Sequence, residues 1–221
     1  MIYQSLKEHV YNYISDEIRN KNLGANEKIN EQEICNKLGV SRTPVREALI
    51  QLSSDGLLEI TPRRGFRVKS LTLKEAQDIY AVISALDVMA AEISIKKLSK
   101  EDLNEMQDLL KKMNDAILSY DFNEYYKLQM DFHNVYILRT DNEPLIDTIF
   151  RLKKRFIRQS YPNEKSNCIR DILLNTNKEH HKIFNCFKEK NIDNLKKELK
   201  QHWNLNYAEM DSLDEKKIYQ E

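Results

Sequence analysis

Hydrophobic positions recur along this chain mostly at helical spacing, with one short stretch of strict alternation near residue 60. Leu6, Val10, Tyr13, Ile14 and Ile18 share a face and predict a first amphipathic helix that ends near Asn22, with Gly24 as the turn. Asn30 then stands where an N-cap is expected, and Glu33 three positions on completes a capping box. The second helix turns Ile34, Cys35 and Leu38 inward, and Gly39 stops it. After a short turn at Val40, Ser41 caps a third helix over 42–55, closed by Gly56. Val45, Ala48, Leu49 and Leu52 form its buried stripe, and Pro44 fits a first turn whose amides have no intrahelical partner. The segments 57–60 and 66–68 alternate, and Thr61-Pro62-Arg63-Arg64-Gly65 joins them as a two-stranded hairpin.

The pattern changes after the hairpin. All four glycines lie within the first 65 residues, so the tight turns are concentrated there. The remainder reads as long helices joined by polar loops, which places a domain boundary near residue 70 and predicts domains over 1–70 and 71–221. The expected fold class is mainly α: an N-terminal winged helix-turn-helix with a small β-hairpin wing, then an all-helical antiparallel bundle. Within the bundle, Phe122, Tyr126, Gln129, His133 and Tyr136 share one face of a helix over 122–138. Leu195, Leu199, His202 and Asn206 share an inward face of the last helix. His180 aligns with Phe184 and Phe187, whereas His181 points about 100° away.

Charge sharpens the reading of the first domain. The chain as a whole is neutral, with 35 basic and 35 acidic residues, which excludes a uniformly basic nucleic-acid binder. Between Ser41 and Lys69, however, six Lys/Arg oppose only three acids. Arg42, Thr43 and Arg46 point away from the buried stripe at the N-terminal end of the third helix, where a recognition helix reads bases. Arginine can bond both N7 and O6 of guanine, and a threonine offers a hydroxyl and a methyl. Ser41 adds a hydroxyl at a positive helix terminus suited to phosphate, and Arg63, Arg64 and Gly65 give the hairpin a basic tip. The order of these elements predicts a sequence-specific binder of double-stranded DNA. One such helix reads too few base pairs alone, so a homodimer on a palindromic operator is expected.

Other classes recede. The apolar runs are far shorter than the ~20 residues of a membrane span, and the first residues lack a signal-peptide layout. The expectation is therefore a cytoplasmic protein without membrane contact. The three cysteines, Cys35, Cys168 and Cys186, are odd in number and widely spaced, which reads as buried thiols in a reducing compartment.

The run 30–49, and above all Ser41-Arg42-Thr43-Pro44-Val45-Arg46-Glu47-Ala48-Leu49, resembles the signature of GntR-family transcription regulators. Asp55-Gly56-Leu57-Leu58 and Pro62-Arg63-Arg64-Gly65-Phe66-Arg67-Val68 extend the resemblance through the wing. It implies DNA contacts by Arg42, Thr43 and Arg46, with Gly65 at a wing tip in the minor groove. In some members a basic residue touches DNA where Gln32 stands here. The helical remainder is similar to the FCD subgroup, which includes the fatty-acid-responsive regulator. That resemblance implies a repressor with a small-molecule, carboxylate-like effector and a divalent metal (Zn, Ni or Mn) held by His133, His180 and His202. Two positions depart from the subgroup. Gln129 stands where its aspartate ligand is found, and Ile83 and Asp87 replace an arginine and a glutamate of the first bundle helix. Gln129, Arg151 and Arg155 are the candidate effector contacts, and Arg158 continues the face of the two arginines. Read by spacing alone, the histidines leave three readings open: a metal site in a ligand-responsive regulator, core residues of an effector-less DNA-binding dimer, or the zinc site of a hydrolase.

Overall fold

A computed structural model describes residues 5–20, 22–155 and 166–204. Its helices and strands, in order, are α1 (Leu6–Arg19), α2 (Glu31–Leu38), α3 (Arg42–Ser54), β1 (Leu58–Thr61), β2 (Gly65–Val68), α4 (Leu73–Ser94), α5 (Lys100–Leu118), α6 (Phe122–Leu138), α7 (Glu143–Lys154), α8 (Asn167–Glu189) and α9 (Ile192–His202). The described residues divide into two compact units. Of these residues, one unit holds those within 5–72 and 151–155, the other those within 73–150 and 166–204.

The first unit is a three-helix head with a hairpin. Val10, Ile14 and Ile18 of α1 meet Val45, Ala48, Leu49 and Leu52 of α3 in one apolar core, with Leu57, Leu58, Phe66 and Val68 closing it from the hairpin side. Strands β1 and β2 pair antiparallel, Leu58 with Val68 and Thr61 with Gly65. The segment before α2 adds a third rung that the sequence does not announce. Ile29 N–H donates to Phe66 C=O, Val68 N–H to Glu27 C=O and Asn26 N–H to Val68 C=O, each at 2.9 Å. This ties the start of α2 to the wing, so the positions of α2, α3 and hairpin are fixed together.

Several local expectations need adjustment. Helix α1 stops at Arg19, earlier than Asn22, and the left-handed residue of the following turn is Asn26 at φ 64°, not Gly24. Asparagine tolerates that region because its side chain bonds locally. Gly24 serves instead by donating its N–H to Glu27 at 2.7 Å. The first strand begins at Leu58, one residue after the sequence reading, because Leu57 N–H donates back to Leu52 C=O in the turn that ends α3. Asn30 does accept from Glu33 N–H at 3.3 Å, but α2 carries only this half of the expected capping box, without the return bond from the Glu33 side chain. Gly39 ends α2 in the left-handed region at φ 65°, as a C-terminal glycine should.

The second unit is a helical bundle. Helices α5 and α6, joined by the short connection 119–121, pack against each other, and α8 lies against α5 and α9. Helix α4 lies against α6 and α9. Met106, Leu110 and Met113 of α5, Tyr125 and Phe132 of α6, Leu173 and Phe187 of α8, and Leu195 and Leu199 of α9 fill one core. Chemistry at the helix starts agrees with the packing. Ser99 and Asp102 form a reciprocal capping box on α5, and Ser166 caps α8 by accepting from Ile169 N–H. The Asp102 carboxylate also takes three hydrogen bonds from Arg139 at 2.7–3.0 Å, which joins the start of α5 to the end of α6. Of the cysteines, Cys35 and Cys186 are buried, whereas Cys168 is exposed in the first turn of α8 and does not fit the expectation of three buried thiols. Among the described residues, no helix is long and apolar enough to cross a membrane.

Candidate functional site

Two groups of side chains carry the chemistry, one in each unit. On the head, Ser41 sits at the N-cap of α3 with extended backbone (φ −74°, ψ 168°), yet its side chain makes no capping bond. The helix therefore does not use its hydroxyl, and Ser41 corrects to a cap by position only. Arg42, Thr43 and Arg46 are exposed on the first turns of α3, as their spacing predicts. Two of them are already oriented by α2. Arg42 Nη2 donates to Gln32 Oε1 at 2.8 Å, while Gln32 Nε2 donates to Asn36 at 3.0 Å. Arg46 Nε lies 3.2 Å from Glu31 Oε2. Arg63 and Arg64 are exposed in the hairpin turn, Arg63 in the left-handed region at φ 63° and Gly65 at φ 87°. Any side chain at Gly65 would strain that backbone. A concavity of about 570 Å³ lies between wing and helices, lined by Lys28, Asn30, Gln32, Arg42, Arg64 and Gly65. Arg67 turns away from it, donating to the Asn26 carbonyl at 3.3 Å.

In the second unit the three histidines from three helices converge. His133 of α6 and His180 of α8 are fully buried, and the His202 side chain, at the end of α9, is 5% exposed. Their ring centroids lie 5.2 Å (His133–His180), 5.2 Å (His133–His202) and 4.5 Å (His180–His202) apart. One nitrogen from each ring falls within 4.8 Å of the others. Nε2 of His133 and Nε2 of His180 are 3.2 Å apart. Two nitrogens bound to one tetrahedral zinc at 2.0–2.1 Å would be about 3.3 Å apart, so this pair of donors already has the spacing of two zinc ligands. A hydrogen bond between the two rings accounts for the same distance in the absence of metal.

The rings are held from behind by groups that spacing alone did not single out. His133 Nδ1 is 2.7 Å from the Tyr136 hydroxyl. Tyr136 in turn donates to both oxygens of Asp87 on α4 at 2.8 Å, and Trp203 Nε1 donates to Asp87 Oδ2 at 2.7 Å. Asp87 is fully buried. Burial, then the Asp87 charge and hydrogen bond, pushes the Tyr136 hydroxyl well above its ordinary range. His202 Nδ1 lies 2.9 Å from Glu179 Oε2. Tyr136 was on the right face in the sequence reading, three residues from His133, and Glu179 lies beside His180. Asp87 and Trp203 gave no such signal, since they come from the two ends of the bundle sequence.

The remaining candidates separate. Gln129 is half-buried on α6, one turn before His133. Arg151 is exposed and Arg155 half-buried, and both group with the first unit, not with the histidines. Arg158 and Asn206 lie outside the described residues.

The comparisons with known proteins match both groups. The family described as bacterial regulatory proteins, gntR family, matches residues 6–68, and the FCD domain matches residues 78–205. The chain belongs to the GntR family, in its FCD-containing group. It is accordingly a DNA-binding transcription regulator and not an enzyme. It is similar to the HTH-type transcriptional regulator YdhC of Bacillus subtilis, 29% identical over 88% of this chain and 86% of that protein. It is also similar to the HTH-type transcriptional repressor RspR of Escherichia coli, 23% identical over 90% and 86% of the two chains. Among solved structures, Escherichia coli McbR/YncC superposes with a TM-score of 0.80 over 96% of this chain and 98% of its own, at 24% identity, which shows the shared fold.

Proposed function

We propose that this regulator is a ligand-responsive repressor that binds a palindromic operator as a homodimer in the cytoplasm. Its input site would be the His133, His180 and His202 cluster, holding a divalent metal and a small carboxylate effector. The observation that carries the reading is the convergence of three imidazoles from three helices in the buried interior of the bundle. Repression is supported by the likeness to RspR, a transcriptional repressor.

DNA recognition divides among the residues of the head. Arg42 and Arg46 read guanine edges, Thr43 a base or phosphate, Ser41 a phosphate at the helix terminus, and Arg63, Arg64 and Gly65 follow the groove beside the helix. Two heads related by two-fold symmetry supply the half-sites that one helix lacks. In the bundle, the three imidazoles would hold the dication. When bound, the metal supplies a Lewis-acidic anchor for effector oxygens. Gln129, on the same helix as His133, offers a neutral polar group where an aspartate would have brought charge, so the anion that completes the site is left to the effector. An effector alters DNA binding only as far as it binds the competing arrangements of the dimer unequally.

The neutral Gln129 and the direct His133–His180 contact favour a second reading, in which the histidines are core residues and the dimer takes no effector. Elemental analysis of protein purified without chelator separates the two. The metal reading expects about one Zn, Ni or Mn per chain, lost in His133→Ala, His180→Ala and His202→Ala. Metal-free wild-type protein that also fails to take up zinc, nickel or manganese on titration refutes it.

A further inference from the structure

The hydrogen bonds behind the cluster fix more than the positions of the rings. A tyrosine hydroxyl has one proton. The Tyr136 proton is directed to the Asp87 carboxylate, which is the acceptor on both of its oxygens. The 2.7 Å contact between Tyr136 and His133 Nδ1 must therefore use a proton on the ring. His133 is then protonated on Nδ1, and its Nε2 carries a lone pair facing His180. Glu179 works the same way on His202, since a carboxylate accepts and the ring must donate. The Trp203 indole, with only a donor to give, adds a further hydrogen bond to Asp87 Oδ2.

From this chain of donors we infer that Asp87, acting through Tyr136, is the positioning residue that locks His133 in the Nδ1–H tautomer and aims its Nε2 lone pair into the cluster. Asp87 is not itself a ligand. It is 3.4 Å from His133 Nδ1, on the side of the ring away from His180. It brings to the buried site, at one remove, the negative charge that Gln129 does not supply. A carboxylate placed behind a ligating imidazole raises its basicity, and loss of such partners typically weakens metal binding about 10–100-fold. The consequence for metal rests on the metal reading above, whereas the tautomer does not.

Long-range 1H–15N correlation spectra of metal-free protein, at a pH where the rings are neutral, test the tautomer directly. The His133 signals are assigned by their loss in His133→Asn. The expected pattern is a protonated Nδ1 and an unprotonated Nε2 at His133. The opposite tautomer in wild-type protein overturns the inference without any variant. Tyr136→Phe keeps the ring against Phe187, 4.7 Å between centroids, and should weaken the preference, with Asp87 Oδ2 at 3.4 Å left as the acceptor facing Nδ1. Zinc titration by calorimetry should then show about 10–100-fold weaker binding in Tyr136→Phe and weaker binding in Asp87→Asn. The thermal midpoint of each variant in chelator serves as the control for folding. Wild-type affinity in both variants, with the His133 tautomer unchanged, overturns the assignment. Wild-type protein that takes up no zinc sinks the metal reading alone, and the nitrogen spectra still decide the tautomer.

Discussion

Arg46→Ala separates recognition from stability more cleanly than any other change in the head. The Arg46 side chain is 66% exposed, and Glu31, with which it pairs at 3.2 Å, is 26% exposed. An exposed pair of this kind contributes about 0–1 kcal/mol, so the fold should hardly notice its loss. At DNA the same guanidinium can make a bidentate contact to a guanine edge, worth about 1–3 kcal/mol of discrimination against other bases. At about 1.4 kcal/mol per tenfold, that is about 5–150-fold in preference for the correct duplex. A duplex enriched from a random pool by the wild-type protein supplies the specific target, and a scrambled duplex the reference. Fluorescence anisotropy at one fixed salt concentration gives the two affinities. The variant should bind the scrambled duplex nearly as well as wild type while its preference falls by about 5–150-fold, with thermal unfolding unchanged within about 1 kcal/mol. An unchanged ratio of specific to non-specific affinity refutes the assignment of Arg46 to base reading. A large loss of stability refutes the claim that its pairing with Glu31 is peripheral.

The wing gives a different signature. Arg64→Ala should weaken binding to all sequences alike and lower the slope of log K against log salt by about 0.9, the share of one phosphate contact. An anisotropy series from 50 to 200 mM salt checks this. Leu49, fully buried between α1 and α3, should cost about 2–5 kcal/mol when cut to alanine, read by urea denaturation. The Asp102 carboxyl illustrates the pH dependence. Burial opposes its charge, but the hydrogen bonds from Arg139 and Ser99 prevail and hold it below the ordinary carboxylate range. Its folded pKa is thus depressed, so its contribution to stability is present above the unfolded value of about 3.9 and is lost as pH falls through the lower folded value. The stability gap between wild type and Asp102→Asn, measured by denaturation from pH 6 downward, should be constant to about pH 4 and shrink below it.

Most of the fold was legible because each element of the head states its own start and stop. Asn30 and Gly39 bracket α2, and the stripe Val45, Ala48, Leu49 and Leu52 on α3 has the period of a buried helix face. What escaped was written in the backbone and not in side-chain type. The rung formed by Asn26, Glu27 and Ile29 along β2 depends on which carbonyls the wing leaves open. Asn26 takes the left-handed turn position because the chain must reverse there, and Gly24 two residues earlier drew attention away from it. The missing side-chain bond of Ser41 has a similar origin, since a residue type that favours the N-cap does not guarantee that its hydroxyl is turned inward.

The histidine cluster shows the limit from the other side. Helical spacing put His133, His180 and His202 each on an inward face, but no spacing within one helix reports that three faces meet, and the resemblance to the FCD group was needed to join them. Even that resemblance pointed at Gln129, four residues before His133, as the place where the site was short of a carboxylate. The structure puts a carboxylate against His133 after all, on the far side of the ring and from α4, the first helix of the bundle. Asp87 looked like a departure because it was judged against the position it replaces. In three dimensions it is judged against Tyr136 and Trp203, donors that reach it from residues 49 and 116 positions away. A buried carboxylate is costly unless its lone pairs are satisfied. That cost ties Asp87, Tyr136 and Trp203 together as a unit, and it is why substituting any one of them should be felt at His133 before it is felt in the rest of the core.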